Sequence, residues 1–344
     1  MVQINSRFAN LTHDQVVELD EPKTLPRAWH QWSQAEIDAL TVAMASGRPL
    51  LVRGEPGTGK TQLARAAAKH LGWALHAETI HPRFEPHELM YRFDAVRRLS
   101  DAQRQVPLDE SKYWRPGLFW KAYDWKTAKG YMPDEVKNDP DPKGHVVLID
   151  EIDKADSDVP NSLLEVLSQR SFTIEALNQV IGGRDAPMPL VVVTTNEERE
   201  LPAAFLRRCV VLSLTLPPDC RYDAWLVRRG LAHFGPQPHI KGREVERLHR
   251  IILTDAARQL AKDREHVKGA NLPPPGLAEY LDLLNALLEI TKDIPDPDAR
   301  KRAQLEWLSH ANAYFFLKHP VEDARSPISQ AARVRPGKTT GEPA

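Results

Sequence analysis

The segment Gly54-Glu55-Pro56-Gly57-Thr58-Gly59-Lys60-Thr61 restricts the fold of this chain more than any other. It fits G-x-x-x-x-G-K-[ST], a loop built to wrap phosphate. The glycines let successive backbone N–H groups turn inward onto phosphate oxygens with no Cβ in the way. Lys60 supplies a point charge for β- and γ-phosphates, and the Thr61 hydroxyl is a hard-oxygen ligand for Mg²⁺. A helix N-terminus just beyond the loop favours anions. Such a loop needs a strand before it and a helix after it, and both are legible. Leu50-Leu51-Val52 is a short apolar run of buried-strand type, and Gln62 to His70 is alanine-rich and helical. A glycine-rich turn with an accidental Lys-Thr carries little weight in that context.

Three further β-branched runs follow, Val146 to Ile149, Leu190 to Val193 and Val210 to Leu214, and Ala74 to Ile80 supplies a fifth strand. Their spacing predicts a parallel sheet with crossovers, its strands buried on both faces. The run from His145 ends in Asp150-Glu151, which places two carboxylates at the carboxyl edge of the sheet. Asp150 can hold the Mg²⁺ shell, and Glu151 can orient and deprotonate a water attacking a γ-phosphate. Taken alone, a strand ending in acids serves solubility; beside the loop it favours hydrolysis over mere binding. The run from Leu190 ends in Thr194-Thr195-Asn196, bringing an amide that can align that water, although a capping turn would read the same way. Between Leu201 and Cys209 stand Arg207 and Arg208, which either satisfy helix-terminal carbonyls or serve a neighbouring subunit as an arginine finger.

Residues 1–32 read as a polar, irregular arm containing Pro22 and Pro26. Ser33 and Glu36 fit a capping box, Ile37, Leu40 and Met44 share a helical face, and Gly47 with Pro49 ends that helix. Residues 33–216 form the α/β core. Within it, some sixty residues separate the second and third strands, too many for a loop. The window 84–131 holds ten of the chain's 24 Phe, Trp and Tyr residues. Most are expected to pack an inserted helical element; for Tyr113 to Trp125 a partner surface is the alternative. At Pro217-Pro218 the pattern turns helical, giving a second domain over 217–319, and 320–344 are expected to be disordered.

Composition narrows the class. With 344 residues, two domains are expected, and no stretch suits a membrane span. The N-terminus shows no basic region followed by an apolar one, so a cytoplasmic location is expected. Two cysteines, Cys209 and Cys220, are too few for a disulfide framework. A formal charge of -1 argues against a broad nucleic-acid face, and Arg333, Arg335 and Lys338 read as a solvated end.

GEPGTGKT, VVLIDEIDKA, VVVTTN and the Leu201–Cys209 segment, in this order and spacing, resemble AAA+ ATPases, and more narrowly their MoxR-like, dynein-related branch. The resemblance covers roughly 33–316, most specifically the core. It implies a P-loop NTPase fold, a three-layer α/β/α core with a parallel five-stranded sheet, followed by an α-helical lid. It also implies ATP and Mg²⁺, homo-oligomeric rings that are usually hexamers, and active sites completed in trans. ATP turnover would remodel a protein partner, commonly a separately encoded von Willebrand A-type protein. Carried over, Gly54 to Thr61 are Walker A, Asp150 and Glu151 Walker B, and Asn196 sensor 1. Arg208 is the preferred finger, with Arg207 its close rival. Arg170 to Pro189 resembles the hairpin that precedes the sensor 1 strand. Where the branch places a basic sensor 2 residue, this chain has Gly269 to Gly276, rich in proline. Either Lys268, several positions upstream, reaches in, or an ordinary sensor 2 is lacking.

Three functions compete on this reading. The first is an ATP-hydrolysing ring that remodels a protein. The second is a nucleotide-dependent scaffold or switch with little turnover. The third is a motor subunit of a nucleic-acid-processing, restriction-like complex, which the charge balance disfavours.

Overall fold

The computed structural model describes residues 7–19, 28–236, 247–269 and 274–315. The chain divides into two compact units, Met1–Thr215 and Leu216–Ala344.

The first unit opens with β1 (Val16–Leu19), paired antiparallel with β2 (Ala28–Gln31). The helix α1 (Gln34–Ser46) starts at Ser33, whose N–H and hydroxyl both donate to the Glu36 carboxylate, and stops at left-handed Gly47. Burial would raise the Glu36 carboxyl, but His30 and Ser33 hold it below its usual range. β3 (Leu50–Arg53) leads through the glycine-rich loop into α2 (Lys60–Leu71), and β4 (Ala74–Thr79) follows. Over its described part, the first stretch of chain is therefore not the irregular arm expected. Phe8, Leu11, Leu19, Ala28 and Trp32 are buried in one cluster with Leu63, Ala64 and Ala67 of α2. Their spacing follows neither helical nor strand periodicity. The small side chains of α2 leave room for large rings, and that partnership exists only in three dimensions.

The insertion then contributes β5 (Tyr91–Phe93), α3 (Ala95–Gln103), β6 (Trp114–Pro116), α4 (Leu118–Tyr123), α5 (Trp125–Gly130) and α6 (Asp134–Lys137). It is thus helical with a short antiparallel β5–β6 ribbon. The partner-surface reading of Tyr113 to Trp125 is overturned. Tyr113, Trp114, Phe119, Trp120 and Tyr123 are all buried, and Trp125 is half-buried. Their polar tips are satisfied inside the chain: Tyr113 donates to Asp101, Trp120 to Thr127 and Tyr123 to the Val166 carbonyl.

The remaining elements of this unit are β7 (His145–Asp150), α7 (Asp158–Gln169), β8 (Ser171–Ile174), β9 (Gln179–Gly182), β10 (Leu190–Thr195), α8 (Ala203–Leu206) and β11 (Val210–Ser213). β8 and β9 form an antiparallel hairpin. Five strands make the main sheet in the order β11-β3-β10-β7-β4, every pairing parallel. Alternate residues serve opposite layers. Leu50, Val52, Val146, Leu148, Leu190 and Val192 join α1 and α2, whereas Leu51, Val147, Ile149, Val191 and Val193 join α4, α7 and Phe205 of α8. Two covered faces explain why β3, β7 and β10 read as unbroken apolar runs, whereas the edge strands β4 and β11 are only partly covered and carry polar residues.

The second unit is helical: α9 (Tyr222–Phe234), α10 (Arg250–Gly269), α11 (Leu277–Ile290) and α12 (Pro297–Phe315). Leu226, Phe234, Leu253, Leu260, Tyr280 and Leu284 form its centre. Gly230 is required there, because a Cβ would sit 2.7 Å from the Tyr280 hydroxyl, which donates to the Leu253 carbonyl. Buried Arg264 donates to the Pro275 carbonyl at 2.9 Å and lies over the Tyr222 ring. The segment 320–344, expected to be disordered, lies outside the described residues. Among the described residues, no helix is long and apolar enough to cross a membrane.

Candidate nucleotide site

The glycine-rich loop joins the carboxyl end of β3 to the N-terminus of α2 and needs its glycines. Gly54, Gly57 and Gly59 have φ of 150°, 76° and 99°, and a Cβ on Gly54 would meet the Leu214 carbonyl oxygen at 2.6 Å. Lys60 is the first residue of α2 and is almost fully buried. Its ammonium donates to the carbonyls of Gly54 (2.7 Å) and Glu55 (3.0 Å). Burial pulls its pKa down, and Asp150, Asp153, Glu151 and Glu197 oppose that shift.

β7 runs beside β10 and delivers Asp150 to the same sheet edge. The Thr61 hydroxyl, at the start of α2, lies 3.0 and 3.1 Å from the two Asp150 carboxylate oxygens. Beyond Asp150 the backbone turns sharply, with Glu151 in the left-handed region at φ 60°. For a non-glycine residue that conformation costs about 1 kcal/mol and needs support from its surroundings. The support is visible. The Thr194 hydroxyl, on β10, donates to Asp150 at 2.5 Å and accepts from the Glu151 N–H at 2.9 Å. The Glu151 side chain is held at both oxygens, by the Asn196 amide at 3.2 Å and by the Lys154 ammonium at 2.5 Å. Asp153, also buried, accepts from the backbone N–H groups of Asn196 (3.2 Å) and Glu198 (2.9 Å), tying the turn after β7 to the loop after β10.

The structure thus gathers Lys60, Thr61, Asp150, Glu151 and Asn196 at one edge. Thr194, Asp153 and Lys154 belong with them and were not singled out from sequence. All three stand inside the motifs, in VVVTTN and VVLIDEIDKA, but nothing in their spacing tells which side chain supports which. Arg207 and Arg208 follow α8, are exposed, and have no side-chain hydrogen-bond or ion-pair partner among the described residues. They are not part of this cluster within the single chain; only the Arg207 carbonyl is engaged, by Arg48. Lys268 pairs with Asp219 at 3.0 Å inside the second unit, and residues 270–273 lie outside the described residues.

A glycine-rich loop opening a helix, an acid-ended neighbouring strand and a parallel five-stranded sheet give the chain a P-loop NTPase-like, AAA-type fold. Residues 49–209 match the family model of the AAA domain, dynein-related subfamily. Two curated relatives, the uncharacterized proteins MJ0812 and MJ0079 of Methanocaldococcus jannaschii, are each 24% identical over 137 residues, 40% of this chain. The chain spans only 29% and 28% of their lengths. Among solved structures, a RuvB mutant from Thermotoga maritima is 16% identical with a TM-score of 0.38, covering 80% of this chain and 66% of that one.

Proposed function

We propose that this chain hydrolyses ATP within a homo-oligomeric ring, of hexameric MoxR-like type, and uses the turnover to remodel a protein partner. The observation that carries the reading is the Glu151 carboxylate, aimed by Asn196 and placed next to the Asp150–Thr61 pair. A second carboxylate beside the one that can face a metal is superfluous for binding and necessary for activating water. The glycine-rich loop from Gly54 to Thr61 receives the phosphates on its N–H groups, and Lys60 leaves the Gly54 and Glu55 carbonyls to meet the β- and γ-phosphates. The Thr61 hydroxyl and Asp150 carboxylate are hard oxygen donors already in contact, which suits Mg²⁺. When bound there, the ion neutralises charge on the phosphates. Glu151 then accepts the proton of the attacking water, and Asn196 fixes the direction of its carboxylate. The unpaired, exposed Arg208, with Arg207 as its rival, supplies positive charge to the site of a neighbouring subunit. The client is a protein, a von Willebrand A-domain partner being the kind this branch implies, and the setting is cytoplasmic.

The test is steady-state turnover with nucleotide binding measured alongside. Glu151→Gln is expected to keep ATP binding and lose about a hundredfold or more in turnover, as removal of a general base does. Lys60→Ala is expected to lose binding. Wild-type chain that binds ATP without turnover would sink the hydrolytic reading, and turnover that survives Glu151→Gln would remove Glu151 as its base. One observation favours the second reading, a switch with little turnover: Lys154 holds the Glu151 carboxylate as an ion pair.

A further inference from the structure

In the turn after β10, three successive N–H groups are each captured by a side chain. Those of Asn196 and Glu198 converge on Oδ2 of Asp153, at 3.2 and 2.9 Å, and that of Glu197 between them donates to the Thr195 hydroxyl at 2.9 Å. Glu197 itself is left-handed, with φ 61°. Two N–H groups that straddle a left-handed residue and meet at one oxygen make a small anion-binding concavity. The anion that fills it belongs to the chain: the Asp153 side chain is almost fully buried there, 2% exposed.

Asp153 comes from the other acid-bearing turn. Glu151 is followed by a single 3-10 turn, Ile152–Lys154, and fully buried Ile152 pins that turn in one cluster with Ile149 and Val193. Two residues after Glu151, the chain therefore grips the backbone of Asn196, while the Asn196 amide reaches back to the Glu151 carboxylate. The contacts close a circuit. Glu151 leads along the chain to Asp153, Asp153 holds the Asn196 N–H, and the Asn196 side chain returns to Glu151. That last contact, at 3.2 Å, stands at the long end of hydrogen bonding, so a displacement of about 0.5 Å would break it. The aim of the amide thus depends on where the Asn196 backbone is held.

We propose that Asp153 is a positioning residue: seated between the Asn196 and Glu198 N–H groups, its carboxylate aims the Asn196 amide at Glu151. It acts through Asn196 and not on the nucleotide. This deepens the hydrolytic reading above and rests on it. The carboxylate also carries a charge that could act directly on the phosphate loop. Burial lowers the Lys60 pKa, and after Asp150 it is Asp153 that most opposes the shift. Acceptor geometry and charge are separable, because an amide oxygen in the place of Oδ2 keeps both hydrogen bonds and removes the charge.

Steady-state kinetics of Asp153 variants, with ATP affinity and thermal midpoint measured alongside, test this. Asp153→Ala is expected to lower kcat about tenfold or more, as removal of a group that orients a functional side chain does, and to leave KM and ATP affinity unchanged. Asp153→Asn is expected to recover most of that loss. In an Asn196→Ala background, already slow, Asp153→Ala is expected to remove nothing further, since residues that act as one unit are not additive. If Asp153→Ala does not fold, Asp153→Ser takes its place with the same expectations, its shorter side chain being unable to reach both N–H groups. Three results would overturn the proposal: a raised KM in place of a lowered kcat, an Asn variant as slow as the Ala variant, or an equal loss in both backgrounds. Wild-type chain without turnover would remove the hydrolytic reading and this proposal with it. Wild-type turnover without the expected pattern would remove only the role of Asp153.

Discussion

The Lys154 ammonium lies 2.5 Å from one carboxylate oxygen of Glu151 while Asn196 holds the other at 3.2 Å. A carboxylate engaged at both oxygens is oriented, and here one of its two contacts is an ion pair. On the proposed hydrolytic reading, that ion pair competes with the attacking water for the Glu151 carboxylate. We expect Lys154→Met to raise basal ATP turnover several-fold while the Lys154→Met, Glu151→Gln double variant stays inactive. A fall in turnover would mean that Lys154 assists rather than restrains. The hydrogen bond to Glu151 raises the Lys154 pKa above the usual lysine range. Because the folded value is the higher one, the pair's stabilisation is complete at neutral pH and is lost only as pH rises through it. Lys154 is more than a third exposed, so that contribution is small, about 0.5 kcal/mol. Denaturant midpoints of wild type and Lys154→Met should differ slightly at neutral pH and converge in strong alkali.

Thr194 is the joint between the two acid-bearing residues. Thr194→Val keeps the shape and removes the hydroxyl, leaving the Glu151 N–H and one Asp150 oxygen without that partner. Leaving such groups unsatisfied costs about 1–3 kcal/mol. Chemical denaturation is expected to show that loss, and turnover is expected to fall about 10–100-fold, as when a supporting hydrogen bond behind a site is removed. Wild-type turnover in a destabilised variant would show that Thr194 is structural only.

Arg208 and Lys60 test completion of the site in trans. Arg208→Ala and Lys60→Ala are each expected to be nearly inactive. Mixed, they should regain measurable turnover, because some interfaces then combine an intact loop with an intact arginine. A mixture no more active than its components would place the finger elsewhere, and repeating it with Arg207→Ala decides between the two arginines.

Trp32 tests whether the N-terminal ribbon is part of the core. Its ring is almost fully buried in the cluster that includes Leu63 and Ala64. Trp32→Ala is expected to cost about 3–5 kcal/mol in unfolding free energy. A change below about 1 kcal/mol would restore the picture of a loosely attached arm.

Much of the architecture was legible because its signals are local. Gly54 to Thr61 announces a phosphate loop since only glycines tolerate its backbone and only a helix start can follow. The runs at Leu50, Val146 and Leu190 announce a two-faced sheet because every position along them is apolar. Asp150, Glu151 and Asn196 could be placed together because strand ends in a parallel sheet share one edge. What the tertiary structure alone decided are relationships between distant residues. Thr194 reaches Asp150 across 44 positions and Asp153 reaches Glu198 across 45, so no spacing rule connects them. Phe8, Leu11 and Trp32 follow no period, because their order comes from the alanine face of α2 rather than from their own backbone. The ring-rich stretch from Tyr113 to Trp125 has one composition whether buried or exposed. It is buried here because Asp101, Thr127 and the Val166 carbonyl accept the polar tips of Tyr113, Trp120 and Tyr123. Hydrophobic periodicity and loop stereochemistry act over a few residues and survive in the bare sequence, whereas the pairing of buried polar groups depends on which strands become neighbours.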